Sequence, residues 1–118
     1  MIRFKNVFEL YEYKESHRIL VLKKYPEDSL DKVTETLIFS AVFYIQIPIS
    51  INNFEIRFGK DIDKNYINAQ NKNFYFYWDL QKIFVIDTDD GNKYYIGAGN
   101  LKYEKIEANG EKIVINYS

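Results

Sequence analysis

The chain has 118 residues, with 16 Lys and Arg against 17 Asp and Glu for a net charge of −1, 47% hydrophobic and 18% aromatic residues, and no cysteine. Without cysteine, disulfides, thiolate catalysis and Cys-based zinc or iron–sulfur sites are excluded. Balanced charge leaves no global field to draw in nucleic acid or an anionic membrane.

Turn chemistry divides the chain into hairpins. The first joins strands at 4–13 and 18–24 around Lys14-Glu15-Ser16-His17, a turn without a glycine to fix its register. After it, Pro26, Asp28, Ser29 and Asp31 supply cap chemistry ahead of Leu30, Val33 and Leu37 at helical spacing, which predicts one to three helical turns within 27–36.

Residues 37–51 then alternate. Leu37, Phe39, Ala41, Phe43, Ile45, Ile47, Ile49 and Ile51 share one face of a strand, and Ser40, Tyr44, Gln46 and Ser50 the other. At ~3.3 Å per residue a straight strand of this length would run ~50 Å, longer than a domain of this size is wide, so the segment must bend, coil or break. At its end Asn52-Asn53 suits a two-residue turn that pairs Ile51 with Phe54, Ile49 with Ile56 and Ile47 with Phe58, because Asn tolerates positive φ. Pro48 then places a sheet edge or a bulge beside it.

Between 60 and 72, Ile62, Tyr66, Ile67 and Ala69 stand among Asp, Asn and Lys, which suits either a short helix, over 61–70, or a long connection crossing an open end of the sheet structure, the helix being slightly favoured. The run Phe74-Tyr75-Phe76-Tyr77-Trp78 reads as a strand with Phe74, Phe76 and Trp78 inside and Tyr75 and Tyr77 outside. Asp90-Gly91 predicts a hairpin of 83–88 with 93–98 that pairs Val85 with Ile96 and Ile86 with Tyr95. Gly97-Ala98-Gly99-Asn100 marks a strand end or bulge. Asn109-Gly110 predicts a last hairpin, pairing Ile106 with Ile113 and Glu107 with Lys112.

Candidate chemistry is sparse. Both acidic clusters fail as calcium loops: with Gly91 at the sixth position the anchoring ligands fall on Ile86 and Gly97, and Asp61-x-Asp63-x-Asn65 is followed by Tyr66 and Lys72 where Gly and Glu are needed. His17, the only histidine, lies in a charged turn with no cysteine to join it. Glu12-Tyr13-Lys14 has an E-x-K spacing that chance produces in a chain this charged. The aromatic run at 74–78 lacks the interleaved basic residues that base stacking requires.

These features predict one globular domain over residues 1–118, mainly β: a bent antiparallel sheet, barrel or sandwich of about seven or eight strands with one or two short helices. The alternative is an α+β roll with helices near 27–36 and 61–70 covering one face. The expected function is a non-enzymatic protein-binding module of the kind represented by inhibitors and immunity-type proteins that block an effector. The alternative is a small-ligand β-barrel with an aromatic-lined cavity. No catalytic, cofactor or metal residues are assigned, and neither nucleic acid nor membrane is an expected partner. The partner-binding candidates are Tyr75 and Tyr77, extended by Tyr44 and Tyr94, because tyrosine brings broad, stiff contact area with a polar tip. With neither a signal peptide nor an apolar span in the sequence, a cytoplasmic protein is expected.

Overall fold

The computed structural model describes residues 1–71 and 81–118. They form, in chain order, β1 (Ile2–Phe4), β2 (Phe8–Lys14), β3 (Ile19–Lys24), β4 (Thr34–Ser40), β5 (Tyr44–Gln46), β6 (Ser50–Ile51), β7 (Phe54–Phe58), α1 (Asp61–Gln70), β8 (Lys82–Thr88), β9 (Lys93–Ala98), β10 (Asn100–Ile106) and β11 (Lys112–Tyr117). Two antiparallel sheets result, one ordered β1-β7-β8-β9-β5 and the other β11-β10-β4-β3-β2-β6. The mainly-β class follows the sequence pattern. The sheets pack face to face and, among the described residues, do not close into a barrel.

Their inner faces meet in one apolar cluster. Phe4, Phe54, Ile56, Phe84, Ile86 and Ile96 come from the five-stranded sheet, and Phe8, Leu20, Leu22, Leu37, Phe39 and Leu101 from the six-stranded one. Rings interlock across the gap, with Phe8 edge-on to Phe54 at 5.6 Å and Phe39 edge-on to Phe84 at 5.6 Å. Each such side chain contributes roughly 1.5–3 kcal/mol by leaving water. A smaller cluster lies on the far side of the five-stranded sheet, where Ile67 of α1 packs on Ile83, Val85 and Tyr95.

Strands are more numerous than the seven or eight expected because the chain crosses repeatedly between sheets. The segment 4–13 is cut after Phe4, and β1 and β2 join different sheets. The alternating segment 37–51 breaks, as its length required, into β4, β5 and β6. At Ala41 the backbone enters the left-handed region, φ +53°, and the phase of the alternation reverses. Val42 therefore enters the core at 2% exposure and Ile45 is left 40% exposed; Ile47 and Ile51 then pack with the core again, and Ile49, in the break before β6, is 77% exposed.

The Asn52-Asn53 hairpin is not formed. Asn53 does take positive φ, +48°, but the turn carries the chain from one sheet to the other. Ser50 and Ile51 pair with Glu9 and Phe8, whereas Phe54 and Ile56 lie between Phe4 and Ile2 on one side and Thr88 and Ile86 on the other. These partners satisfy the alternation as well as Ile51 and Ile49 would, so periodicity does not separate a hairpin from a change of sheet. Pro48 sits in the break between β5 and β6, both edge strands, as its missing N–H requires.

The two Gly hairpins form with registers one residue from those expected. Phe84 faces Ile96 and Val85 faces Tyr95; Ile106 faces Lys112 and Lys105 faces Ile113. The cause is the same in both. Gly91 N–H bonds Thr88 O at 3.1 Å and Thr88 N–H bonds Asn92 O at 2.9 Å; Gly110 N–H bonds Glu107 O at 2.9 Å and Glu107 N–H bonds Glu111 O at 2.8 Å. Each loop therefore has three residues, a turn closed by a left-handed glycine at φ +91° or +88°, instead of two. In the β2–β3 turn the left-handed position is filled by Arg18, φ +51°.

The helix expected within 27–36 is also absent. Asp28 Oδ1 accepts the Leu30 N–H at 2.7 Å and Asp31 Oδ1 the Val33 N–H at 3.1 Å, so the would-be cap residues close local Asx turns instead. Asp31 also holds the Lys24 ammonium at 3.1 Å, pinning the loop to β3. In contrast α1 spans the predicted 61–70.

Candidate functional site

Two surfaces present side chains that the core does not use. The first is the outer face of the five-stranded sheet beside α1. Antiparallel register puts Arg57 on β7 and Asp87 on β8 on this face, and Arg57 Nε donates to Asp87 Oδ2 at 2.7 Å while its Nη1 donates to Asp63 Oδ2 at 2.9 Å. Asp63 lies in the first turn of α1 and also accepts the Lys60 N–H at 2.8 Å, capping the helix start. Its side chain is 2% exposed. Burial alone would push the Asp63 carboxyl up, but the Arg57 hydrogen bond and the Lys60 N–H outweigh it and hold the group below the usual carboxylate range. The carboxylate is thus committed to structure.

Further along this face, Tyr44 Oη donates to Gln46 Oε1 at 3.2 Å, Gln46 Nε2 donates to Tyr66 Oη at 3.2 Å, and the Tyr66 ring stacks on Tyr95 at 5.0 Å. Burial raises the phenol pKa of Tyr44, with Tyr66 adding to the shift, so it stays a neutral hydrogen-bonding group. Around the end of the sandwich a depression of about 400 Å³ is lined by Tyr13, Glu15, Arg18, Phe43 and Tyr44.

Of the tyrosines expected to form one binding patch, Tyr75 and Tyr77 lie outside the described residues. The other two do not share a face. Tyr44 pairs with Gly97 on the helix side of the sheet, whereas Tyr94 pairs with Ile86 and packs half-buried against the inter-sheet core. Gly97 leaves room for the Phe43 ring, which would lie 2.5 Å from a Cβ placed there.

The second surface is the outer face of the six-stranded sheet. The one helix among the described residues packs on the other sheet, so no described helix covers this face. Register brings Val21, Ile38 and Ile106 together with Val114, and Lys23, Thr36, Lys102 and Glu104 lie among them. Tyr11, 61% exposed at a bulge in β2, carries the Lys23 ammonium 3.8 Å above its ring. A groove of about 430 Å³ runs over Tyr11, Val21, Ile38 and Ile106. Lys102 and Lys112 both bind Glu104, at 3.2 and 3.4 Å, and desolvation of that carboxyl is overcome by the two ammonium groups, so its pKa is lowered.

Beyond it lies β11, exposed along nearly its whole length, with Ile113, Val114 and Ile115 each 40–45% exposed. The sequence pattern did not single out this region. Its available signal was three consecutive apolar residues in a strand, which no single buried face can absorb.

The remaining motifs are occupied locally. Lys14 Nζ lies 4.0 Å from Glu12 Oε1, Ser16 Oγ lies 2.9 Å from His17 Nδ1 in an exposed turn, and Asp90 binds Thr88 and Asn92 within the β8–β9 loop. No protein-family model matches the chain, and no curated protein and no solved structure is detectably similar to it.

Proposed function

We propose that the protein is a non-enzymatic protein-binding module that presents the outer face of its six-stranded sheet to a partner, in the manner of an immunity-type inhibitor that covers an effector. The observation that carries this reading is the composition of that face: Val21, Ile38, Ile106 and Tyr11 at the centre, with Glu12, Lys23 and Glu104 around them. An apolar centre inside a rim of both charge signs is what recognition surfaces use, the centre for affinity and the rim for orientation. The filled inter-sheet core, with Phe8, Phe39, Phe54 and Phe84 each under 2% exposed, supports surface recognition over an internal ligand. Tyr11 and Ile106 are 61% and 39% exposed, so Tyr11→Ala with Ile106→Glu tests the face without opening the core. Affinity capture from the native host and its antagonists with the wild type should return a partner that the double variant loses. A partner retained equally by both forms would sink the assignment.

The depression at Tyr13, Glu15, Arg18, Phe43 and Tyr44 favours a second reading, binding of a small aromatic compound that carries both charge signs, by stacking and by pairing with the Arg18 guanidinium and the Glu15 carboxylate. A thermal-shift screen in which a hit is abolished by Arg18→Ala would support it; unaltered stabilisation of that variant would reject it.

A further inference from the structure

Among the described residues, three of the four sheet edges are formed by very short strands: β1 and β5 have three residues each and β6 has two. The fourth, β11, is different. It runs unbroken over Lys-Ile-Val-Ile-Asn-Tyr, with one charge and no proline, glycine or bulge. Short strands, bulges, prolines and charges are the usual protections of an edge, and β11 has little of them. Its orientation follows from the hairpin. Because Glu107 and Glu111 are a hydrogen-bonded pair, the alternation of an antiparallel ladder turns the N–H and C=O of Ile113, Ile115 and Tyr117 toward β10 and those of Lys112, Val114 and Asn116 to the open side.

We propose that β11 pairs antiparallel with β11 of a second copy about a two-fold axis at Val114, joining two six-stranded sheets into one. Parity and length select this register. Outward groups can bond only outward groups, and placing Val114 opposite Val114 is the arrangement that uses all three outward residues of each strand, for about six main-chain hydrogen bonds. The side chains match under the same operation. Val114 meets Val114 on the outer face, Lys112 meets Asn116, and Ile113 meets Ile115 on the other face, so apolar groups oppose apolar groups and no like charges face each other. Each Lys112 is already held by Glu104 of its own chain at 3.4 Å. A net charge of −1 gives two copies little mutual repulsion. The inference rests on the edge geometry and not on the binding reading above; it would set two recognition faces side by side on one continuous sheet.

Sedimentation of the full chain over a concentration series should show a dimer that dissociates on dilution. Val114→Lys and Val114→Glu each oppose like charges at the axis and should weaken the dimer by at least ~10-fold, whereas an equimolar mixture of the two should restore it as a heterodimer. Because Val114 is 44% exposed, Val114→Lys should melt with the diluted wild type, whereas Val114→Glu, which faces Glu104 across the β10 pairing, should melt somewhat below it even when monomeric. Hydrogen exchange on the wild type supplies a readout that needs no variant. The amides of Lys112, Val114 and Asn116 should gain protection as concentration rises, while those of Ile113 and Ile115 stay protected throughout. A wild type that remains monomeric up to ~1 mM, a dimer indifferent to both charges, a mixture that fails to pair, or protection without the even–odd pattern would each overturn the proposal.

Discussion

The two sheets share one core and differ in what they do with their other face. The five-stranded sheet lays α1 over Ile83, Val85 and Tyr95 and occupies the rest of that face with Arg57, Asp87 and the helix's own Asp63. The six-stranded sheet sends Val21, Ile38, Ile106 and Val114 outward with no helix above them among the described residues. Polar side chains find partners on both faces, Lys102 and Lys112 with Glu104 on the second; what differs is the apolar centre that the second leaves exposed. Side-chain chemistry that looks functional in the sequence, acidic clusters and tyrosines, therefore goes mostly into structure, while ordinary aliphatic residues form the exposed patch.

The largest expected effect comes from breaking the polar anchor of the covered face. Arg57→Met leaves Asp63, 2% exposed, without its counter-charge and should cost about 3–5 kcal/mol in urea denaturation. Adding Asp63→Asn should return part of that loss. The pH dependence gives the sign independently. In the wild type the Asp63 carboxyl is held below its usual value of 3.8, so the pair stabilises the fold above that pH and its contribution is lost as pH falls further. With Arg57 gone, burial should raise the carboxyl instead, and the variant should lose stability, relative to wild type, as pH rises through about 4 and above. A pH-independent difference between the two proteins would show that the ion pair does not anchor the helix.

Truncation of matched isoleucines on the two outer faces sharpens the contrast. Ile67 of α1 is fully buried, and Ile67→Ala should cost ~2–5 kcal/mol through lost burial and a cavity. Ile38 is only half-buried on the uncovered face, and Ile38→Ala should cost nearer ~1 kcal/mol. Equal losses would mean that the six-stranded face is covered in solution. Gly97→Ala lies between these cases: the added Cβ meets the Phe43 ring at 2.5 Å, so the ring must shift at about 1–3 kcal/mol.

One helix and three turns differ in how far their local residues specify them. Residues 61–70 were legible as a helix from the spacing of Ile62, Tyr66, Ile67 and Ala69, although of these Ile67 is the one that is buried, while Ile62 is 71% exposed. Asp90-Gly91 and Asn109-Gly110 were legible as hairpins but not in register, since the same dipeptide serves a two-residue turn and a three-residue loop with glycine at its left-handed end. Asn52-Asn53 was legible as a turn but not as a change of sheet, because the partners of Ile56 are set by Ile2 and Ile86, distant in sequence. The candidate surface was the least legible. Whether Ile113, Val114 and Ile115 lie at an edge or a centre depends on strand order, which local pattern does not encode.

The smallest expected effect is the most direct check on that last turn. Alternation along 37–51 places Ile49 with the core, opposite Ile56, and on that reading Ile49→Ala would cost several kcal/mol. In the structure Ile49 is 77% exposed, and its contribution to the fold is its carbonyl, which accepts the Leu10 N–H at 2.8 Å and ties the approach to β6 against β2. Alanine keeps that carbonyl. Ile49→Ala should therefore change stability by no more than ~0.5 kcal/mol, whereas Ile56→Ala, at a fully buried site between Ile2 and Ile86, should cost ~2–5 kcal/mol. Similar losses at both positions would restore the hairpin, return β6 and β7 to one sheet and remove the division between sheets on which the assignment of the two outer faces depends.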